Sequence, residues 1–278
     1  MRSKILIPID FSKKSKSTVL FGIELARMLK KELLLIHITD IYDFGLMYPY
    51  PANLPTQMPA VQNELNNTAK NRLDNFKDEF QNQFTDVVIN AVHRQGFVVD
   101  KILDEINEDF IDMVILTRRI KTNDLSDITT KVITEALCPV WVVPPNYKYT
   151  PFLKIVYATD YRREDLSALV RLVNVAKFYN STIYLTHITE KIDFRQELKM
   201  EGLTIMAKRE TGYENFKGVL LPGESRITSS IENFSKETTT DLIVMLKRND
   251  SFLQNIFSVS STKKMVFASG IPVLVFHE

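Results

Sequence analysis

The chain has 278 residues, of which 45% are hydrophobic and 25% are charged, and this is the composition of a folded protein with one large core or two ordinary ones. Its formal net charge of +1 gives no reason to expect a polyanionic partner such as nucleic acid. The single cysteine, Cys138, excludes a disulfide within the chain and is typical of a reducing compartment. The first residues lack the long apolar stretch of a signal peptide, and no apolar run approaches the roughly 18 residues of a membrane span, so we predict a cytoplasmic protein without membrane contact.

The first half of the chain alternates short apolar runs with longer amphipathic stretches. The short runs are typical of strands buried on both faces of a sheet, whereas the longer stretches have the period of a helix. In chain order the elements are a strand at residues 5–9, a helix from about Ser15 to Leu29, a strand at Leu33–Ile38, helices at Val61–Phe80 and Asp100–Ile106, a strand at Met113–Leu116 and a closing strand at Val140–Val143. Such alternation predicts a parallel sheet wrapped by helices.

The second half of the chain repeats this order. The opening strand and its aspartate recur at residues 155–160, and His37-Ile38 recurs as His187-Ile188, both at an offset of 150. Residues 112–116 match 241–245 at an offset of 129, and residues 138–143 match 271–275 with their prolines offset by 133. Four matches in the same order indicate two copies of one domain. We place the domains at residues 1–146 (half one) and 151–278 (half two), joined by a Pro-rich linker at residues 144–151.

This ordered set of residues resembles the universal stress protein family, here in a tandem two-domain form. The residues that carry the resemblance are Pro8, Asp10 and Ser12 at the end of the opening strand, His37-Ile38, Gly96 and Gly223 ahead of a helix, Asp112 and Asp241 before the fourth strand, and Pro139 and Pro272 before the last. The resemblance implies two doubly wound five-stranded parallel-sheet α/β domains in tandem, of the adenine nucleotide alpha hydrolase-like type with strand order 3-2-1-4-5. It also implies that the final strands of the two halves meet, which makes an intramolecular pseudo-dimer and covers two apolar edges.

Family members that bind ATP carry a glycine after the fourth strand, another three positions on, and a Gly-Ser or Gly-Thr after nine further residues. Glycines let the backbone approach the phosphates, and the helix that follows offers free N–H groups. In half two these positions hold Leu246, Asn249, Val259 and Ser260, so the spacing is kept and the glycines are lost. In half one they hold Thr117, Ile120, Ser126 and Asp127, and the loop is four residues shorter. We therefore expect degenerate nucleotide-binding loops, no catalytic residues, and no cofactor, with ATP or ADP as the alternative.

Asp10 and Asp160 end the first strand of each half. The resemblance puts this aspartate near the adenine and ribose of a nucleotide, and an aspartate that caps the following loop or helix is the alternative. A phospho-acceptor of the response-regulator kind would need further acidic residues, and the first strand supplies one.

Cations follow the fourth strand in both halves, as Arg118-Arg119-x-Lys121 and Lys247-Arg248. These side chains are able to hold an anion where backbone amides no longer can, or they belong to a solvated loop. His37 and His187 are interpreted as core or crevice residues because no converging metal ligands accompany them, and Cys138 is expected to be buried. The candidate ligand-binding residues are Pro8, Asp10, Ile38, Asp160, Ile188, Lys247, Arg248 and Ser260, and no metal site is expected.

Residues 41–60 form an insertion in which aromatic residues and methionines alternate with four prolines. Such a segment predicts a lid, a contact with a protein partner or with a second copy of the chain, or a cover for the core. Half two has a more polar counterpart at residues 192–212 with a helix expected at Phe194–Lys208. The leading hypothesis is a non-enzymatic stress-response protein that acts by binding or protein interaction. The alternative is an adenine-nucleotide sensor or weak ATPase that uses one degenerate crevice.

Overall fold

The computed structural model describes residues 3–39, 58–108, 110–118, 128–223, 227–247 and 270–277. Half one contains the strands β1 (Lys4–Pro8), β2 (Glu32–Thr39), β3 (Ile89–Gln95), β4 (Ile111–Thr117) and β5 (Val140–Val143), and the helices α1 (Lys13–Leu29), α2 (Met58–Gln83), α3 (Val98–Glu108) and α4 (Ile128–Glu135). Half two contains the strands β6 (Lys154–Ala158), β7 (Thr182–Thr189), β8 (Phe216–Pro222), β9 (Leu242–Lys247) and β10 (Val273–His277), and the helices α5 (Arg163–Tyr179), α6 (Phe194–Thr211) and α7 (Ile227–Thr238).

All ten strands form one sheet in the order β3-β2-β1-β4-β5-β10-β9-β6-β7-β8. Within each half every pairing is parallel and the strands follow the order 3-2-1-4-5, which confirms the predicted fold class. The expected repeat is also confirmed, since β6 pairs with β7 and β9 as β1 pairs with β2 and β4. Continuous apolar strands such as β1 and β9 suit a sheet that helices cover on both faces.

The helices begin and end where the local sequence provides caps. The Ser12 side chain accepts a hydrogen bond from the Ser15 backbone N–H at the start of α1, and Asp193 does the same for Gln196 at the start of α6. Gly212 ends α6 in the left-handed region at φ 60°. The predicted helices at residues 61–80 and 194–208 are both present and both longer, because α2 begins at Met58 and α6 continues to Thr211.

Two apolar layers cover the two faces of the sheet. One layer packs α1, α2, α5 and α6 against the strands, and the other packs α3, α4 and α7 against them. Both layers contain residues of both halves: Ile7 and Tyr157 share the first, and Leu6 and Val156 share the second. The hydrophobic core is therefore continuous from one half to the other.

The two halves meet along β5 and β10, which pair antiparallel and which we call the seam. Val273, Leu274 and Val275 face Val142, Trp141 and Val140 across it, and the exposure of these six side chains is at most 2%. The expected pairing of the final strands is thus present. It places the carboxyl end of β9 and β10 in half two beside the start of β5 in half one.

The linker packs as part of the first layer. Tyr147, Tyr149 and Phe152 surround Phe21 of α1 at ring-centroid distances of 5.9, 5.4 and 6.2 Å. The Tyr149 hydroxyl also lies 2.7 Å from the hydroxyl of Tyr179 in half two. The connection between the halves is therefore fixed by aromatic contacts, while the domain bounds 1–146 and 151–278 stay a prediction.

None of the helices in the described part of the chain is long and apolar enough to cross a membrane. Of the aromatic and proline insertion predicted at residues 41–60, positions up to 57 lie outside the described residues, and the last three begin α2.

Candidate functional site

The candidate crevice of half one lies where β1 and β2 end at the same edge of the sheet. Pro8 is the last residue of β1 and pairs with Ile36 of β2, so the half-buried Ile38 and His37 stand beside the loop that follows. Carboxyl ends of neighbouring parallel strands are the usual place for a ligand in folds of this type.

An aromatic residue packs against the histidine at this site. Phe11 adopts a φ of 60°, and its ring lies 4.3 Å from the ring of His37. The Nδ1 atom of His37 lies 3.0 Å from the carbonyl of Ile9, so it carries the proton and donates it. The guanidinium of Arg72, on α2, lies over the ring of Phe11 at 4.4 Å. Burial lowers the pKa of His37, and the nearby Arg72 charge lowers it further.

Asp10 serves the loop between β1 and α1. Its Oδ1 atom accepts hydrogen bonds from the Ser12 backbone N–H at 3.0 Å and from the Ser15 hydroxyl at 2.5 Å. This is the capping role given above as the alternative to ligand binding. The residue is nevertheless exposed, so its carboxylate also remains in contact with solvent.

The crevice of half two repeats this arrangement with different side chains. Tyr161 also has a φ of 60°, and its ring lies 4.2 Å from that of His187. The Nδ1 atom of His187 lies 2.8 Å from the Thr159 carbonyl and 3.8 Å from Oδ1 of Asp160. Ile188 is half-buried beside it. Burial raises the pKa of Tyr161 to about 12, so its hydroxyl stays protonated at neutral pH.

The third strand distinguishes the two crevices. In half one it ends in His93, Arg94 and Gln95, and at the paired positions of half two it ends in Leu220, Leu221 and Pro222. The ring of His93 stacks on that of His37 at 6.0 Å, and its Nε2 lies 2.9 Å from the Thr39 hydroxyl. Burial lowers the pKa of His93, as does its proximity to His37.

Sequence reasoning missed Phe11, Tyr161, Arg72 and His93 as parts of these crevices. His93 could have been recognised from a predicted parallel sheet, because it lies on β3 and pairs directly with His37 of β2. The packing of Phe11 and Tyr161 against the histidines depends on a left-handed backbone that these residue types rarely adopt, so no sequence signal indicated it.

Leu246 and Thr117 occupy the first glycine position of the two loops. The side chain of Leu246 is buried in the first apolar layer. Thr117, the matching residue of half one, places its hydroxyl 2.6 Å from that of Thr18 on α1. Both glycine positions are therefore filled by side chains that pack against the protein itself.

Lys247 is the last residue of β9 and is half-buried, so it is not part of a solvated loop. Its Nζ atom crosses the seam and donates a hydrogen bond to the carbonyl of Thr134 near the end of α4. Burial lowers its pKa, and Glu135 partly offsets this. A cation at a helix carboxyl terminus is favourable because the last carbonyls have no partner within the helix. Arg248 and Ser260 lie outside the described residues.

Arg118 occupies the same position after β4 as Lys247 does in β9. Its Nε and Nη1 atoms are buried and have no hydrogen-bond partner among the described residues. Burial also lowers its pKa. Arg119 and Lys121, the other cations of this group, lie outside the described residues.

Two further expectations concern metal ligands and the thiol. Among the described residues no group of three or more His, Cys, Asp or Glu side chains is placed to hold a metal ion. Cys138 is buried at the start of β5, and burial raises the pKa of its thiol to about 12. It is therefore protonated and unreactive at neutral pH.

These features define a class: a tandem doubly wound α/β protein in which each half places an aromatic ring against a histidine at the carboxyl ends of its first two strands. The model of the universal stress protein family matches residues 1–144, just over half of the chain. The chain belongs to the universal stress protein family. No curated protein sequence is similar enough to be matched to it.

Several solved structures share the whole fold. A universal stress protein from Archaeoglobus fulgidus DSM 4304 has a TM-score of 0.72 and 16% identity, over 99% of this chain and 96% of that chain. A putative universal stress protein from Pseudomonas aeruginosa UCBPP-PA14 has a TM-score of 0.61 and 13% identity, over 99% and 93%. A functionally unknown protein from P. aeruginosa PAO1 has a TM-score of 0.60 and 14% identity, over 99% and 92%. The similarity shows that two such domains in one chain are a recurrent architecture.

Proposed function

We propose that the protein is a non-enzymatic, cytoplasmic stress-response protein that acts by binding or protein interaction. In this proposal its two halves form a rigid pseudo-dimer, and neither half holds ATP in the manner of the family members that bind it. The observation that carries the proposal is the hydrogen bond from Lys247 to the Thr134 carbonyl. Lys247, the described cation at the end of the fourth strand of half two, thereby joins the two halves. Its ammonium group is then not available to bind a phosphate.

A further feature supports the proposal. Leu246 and Thr117, at the first glycine position of the two loops, have side chains that pack against the protein, at the place where the backbone of a phosphate-binding loop must come close to its ligand.

Calorimetric titration of ATP with Mg²⁺ into the purified protein tests the proposal. We expect no saturable binding at up to about 1 mM nucleotide. A dissociation constant above this concentration corresponds to a binding free energy weaker than about −4 kcal/mol. Saturable binding with a dissociation constant in the micromolar range would contradict the proposal. A thermal-denaturation series with the same ligand gives an independent readout, because tight binding to the native state must raise its Tm.

The second candidate function is an adenine-nucleotide sensor or weak ATPase, and Arg118 is the observation that favours it. A buried guanidinium with unpaired N–H groups is costly and is relieved by an anion. If ATP or ADP binds in half one, Arg118→Met should weaken binding at least about tenfold, as expected for loss of a charge-assisted hydrogen bond. If the variant bound the nucleotide with the same affinity as the wild type, Arg118 would not be part of the binding site.

A further inference from the structure

The helix α6 exposes apolar residues to solvent along one side. Phe194, Leu198, Ile205 and Met206 are 78%, 57%, 58% and 40% exposed. At 3.6 residues per turn these four side chains and Gly202 fall within about 120° of the helix surface. We call this set the α6 stripe. Contiguous apolar surface of this kind marks a contact site far more often than isolated exposed residues do.

The matching helix of half one shows that the fold does not require the stripe. At an offset of 127, the buried residues Leu73, Phe76 and Phe80 of α2 correspond to Met200, Leu203 and Ala207 of α6. At the same offset the exposed positions of α2 hold Asn67, Asn71, Asp78 and Glu79, where α6 holds Phe194, Leu198, Ile205 and Met206. Core positions are thus apolar in both helices, and only half two is apolar on the solvent side.

The charges that border the stripe are complementary to a second copy of the same helix in antiparallel orientation. In that orientation Leu198 meets Ile205 of the second copy at both ends of the contact, and the open position of Gly202 lies at the centre. Glu197 then faces Lys208 of the second copy on one flank. On the other flank Arg195 faces Glu210, which within its own chain pairs with the neighbouring Arg209 at 2.9 Å. Glu197 and Lys208 are separated by about 16 Å along their own helix, so they cannot pair within one chain.

We propose that the α6 stripe is a homodimer interface, in which two copies of this chain pack their α6 helices antiparallel about a twofold axis near Gly202. The contact is isologous, since the same residues serve both copies. An 18-residue helix is about 27 Å long, and one pair of helices buries less than the roughly 1,200 Å² of a standard interface. The dimer is therefore weak and concentration-dependent.

Sedimentation equilibrium over a concentration series tests the proposal. The wild-type mass should rise from monomer toward dimer as the concentration approaches about 1 mM, in line with a small interface. The triple variant F194N/L198N/I205D carries the residues that α2 holds at these positions, so it keeps a helix-compatible surface, and its dimerisation should weaken at least about tenfold. Leu137→Asn, at an apolar residue 82% exposed outside the stripe, should dimerise as the wild type does. A monomeric wild type, or a triple variant that dimerises unchanged, would overturn the proposal.

Charge reversal tests the antiparallel orientation and does not depend on the apolar residues. Glu197→Lys and Lys208→Glu, each alone, turn two attractive pairs into two repulsive ones and should weaken the homodimer about fivefold. An equimolar mixture of the two variants should restore wild-type association, because each heterodimer regains two opposite-charge pairs. Lys208 also approaches Glu214 of its own chain at 3.4 Å. Each variant keeps or loses this contact equally alone and in the mixture, so it cannot produce the recovery. A mixture that associates no better than the single variants would contradict the antiparallel pairing.

Discussion

At the scale of single residues, Lys247 and Arg118 show how the same sequence position acquires different surroundings. Both cations follow the fourth strand, and the sequence predicted both. It could not predict that Lys247 would reach a carbonyl of α4, because that contact exists only once β5 and β10 have paired antiparallel. Whether a cation serves the crevice or the seam depends on tertiary structure that its neighbours in sequence do not specify.

Asp165 is a residue whose importance the sequence did not reveal. Its carboxylate is fully buried and accepts hydrogen bonds from the Tyr157 hydroxyl, the Thr159 hydroxyl and the Arg162 backbone N–H at 3.0, 2.6 and 3.0 Å. The matching residue in half one is Ser15, which donates to Asp10 instead. The two halves thus fix the same turn with the donor and acceptor exchanged.

We expect Asp165→Ala to lower the free energy of unfolding by about 2–4 kcal/mol, because it leaves two buried hydroxyl donors and the part-buried Arg162 backbone N–H without an acceptor. Urea denaturation followed by circular dichroism measures this change. Glu164→Ala, at the exposed neighbouring position in the same helical turn, serves as the control and should cost less than about 1 kcal/mol. Equal effects of the two substitutions would show that the buried network contributes little.

At the scale of elements, β5 joins the halves through its tryptophan. Trp141 is 1% exposed, and its ring lies 5.6 Å from Phe21 and 5.7 Å from Phe152. Its Nε1 atom is buried and has no hydrogen-bond partner among the residues described. The ring of Trp141 therefore stabilises the fold by packing, whereas burial of its unpaired N–H group is destabilising.

Trp141→Ala should lower the free energy of unfolding by about 3–5 kcal/mol because it leaves a cavity within this aromatic cluster. Trp141→Phe should cost clearly less, since it keeps a ring and removes the unpaired donor. Urea denaturation followed by circular dichroism compares the two variants. If they were equally destabilised, the ring packing described above would not be the main contribution of Trp141.

The carboxyl end of β10 gives the seam a dependence on pH. The Nε2 of His277 donates to the Ile133 carbonyl at 2.7 Å, and burial lowers the pKa of His277, as do the nearby charges of Lys247 and Arg171. A histidine with a lowered pKa in the folded state binds fewer protons than it does when unfolded. Its contribution to stability is therefore complete above the unfolded pKa of about 6.5 and is lost as the pH falls below it.

We expect His277→Gln to reduce the loss of stability between pH 7.5 and pH 5.5, by up to the roughly 1.4 kcal/mol per pH unit that one proton provides. His37 and His93 also have lowered pKa values, so part of the wild-type dependence should remain in the variant. Denaturation midpoints across this range provide the test. A variant with the full wild-type slope would show that His277 does not titrate with unfolding.

The helices α2 and α6 show what sequence periodicity can and cannot predict. The existence of the two helices follows from the sequence pattern, and both helices were expected. The solvent face of α6 was not separated from its core face, because apolar residues occur on both sides and blur the period. The α6 stripe is distinguished from the core face only when the residues of α6 are compared with those of α2 at a constant offset.

At the scale of the whole molecule, the repeat and the family resemblance determined most of what could be predicted. The two ordered copies of one strand–helix pattern predicted two parallel-sheet domains, and the resemblance to the universal stress protein family implied the strand order of each half and the pairing of the final strands. Local patterns contain no information on the continuity of both apolar layers across the seam or on the packing of the linker tyrosines. Those features require the relative position of two halves that are distant in sequence.

Because both layers run through the seam, the two halves should unfold together. In the wild type, circular dichroism and the fluorescence of the single tryptophan, Trp141, should report one coincident urea transition. Asp165→Ala lies in half two, yet it should shift the Trp141 transition as much as the circular dichroism transition. Separate transitions, or a tryptophan signal that Asp165→Ala leaves unchanged, would show that the halves are independent.

The nucleotide content of the purified protein tests the proposed function most directly. Denaturing the protein and separating the released small molecules by chromatography detects ATP or ADP that remained bound through purification. The absence of glycine from the expected positions of both loops, together with the hydrogen bond of Lys247 across the seam, predicts far less than one nucleotide per chain. A stoichiometric amount of ATP or ADP would contradict the proposal that the nucleotide sites of this tandem protein are degenerate.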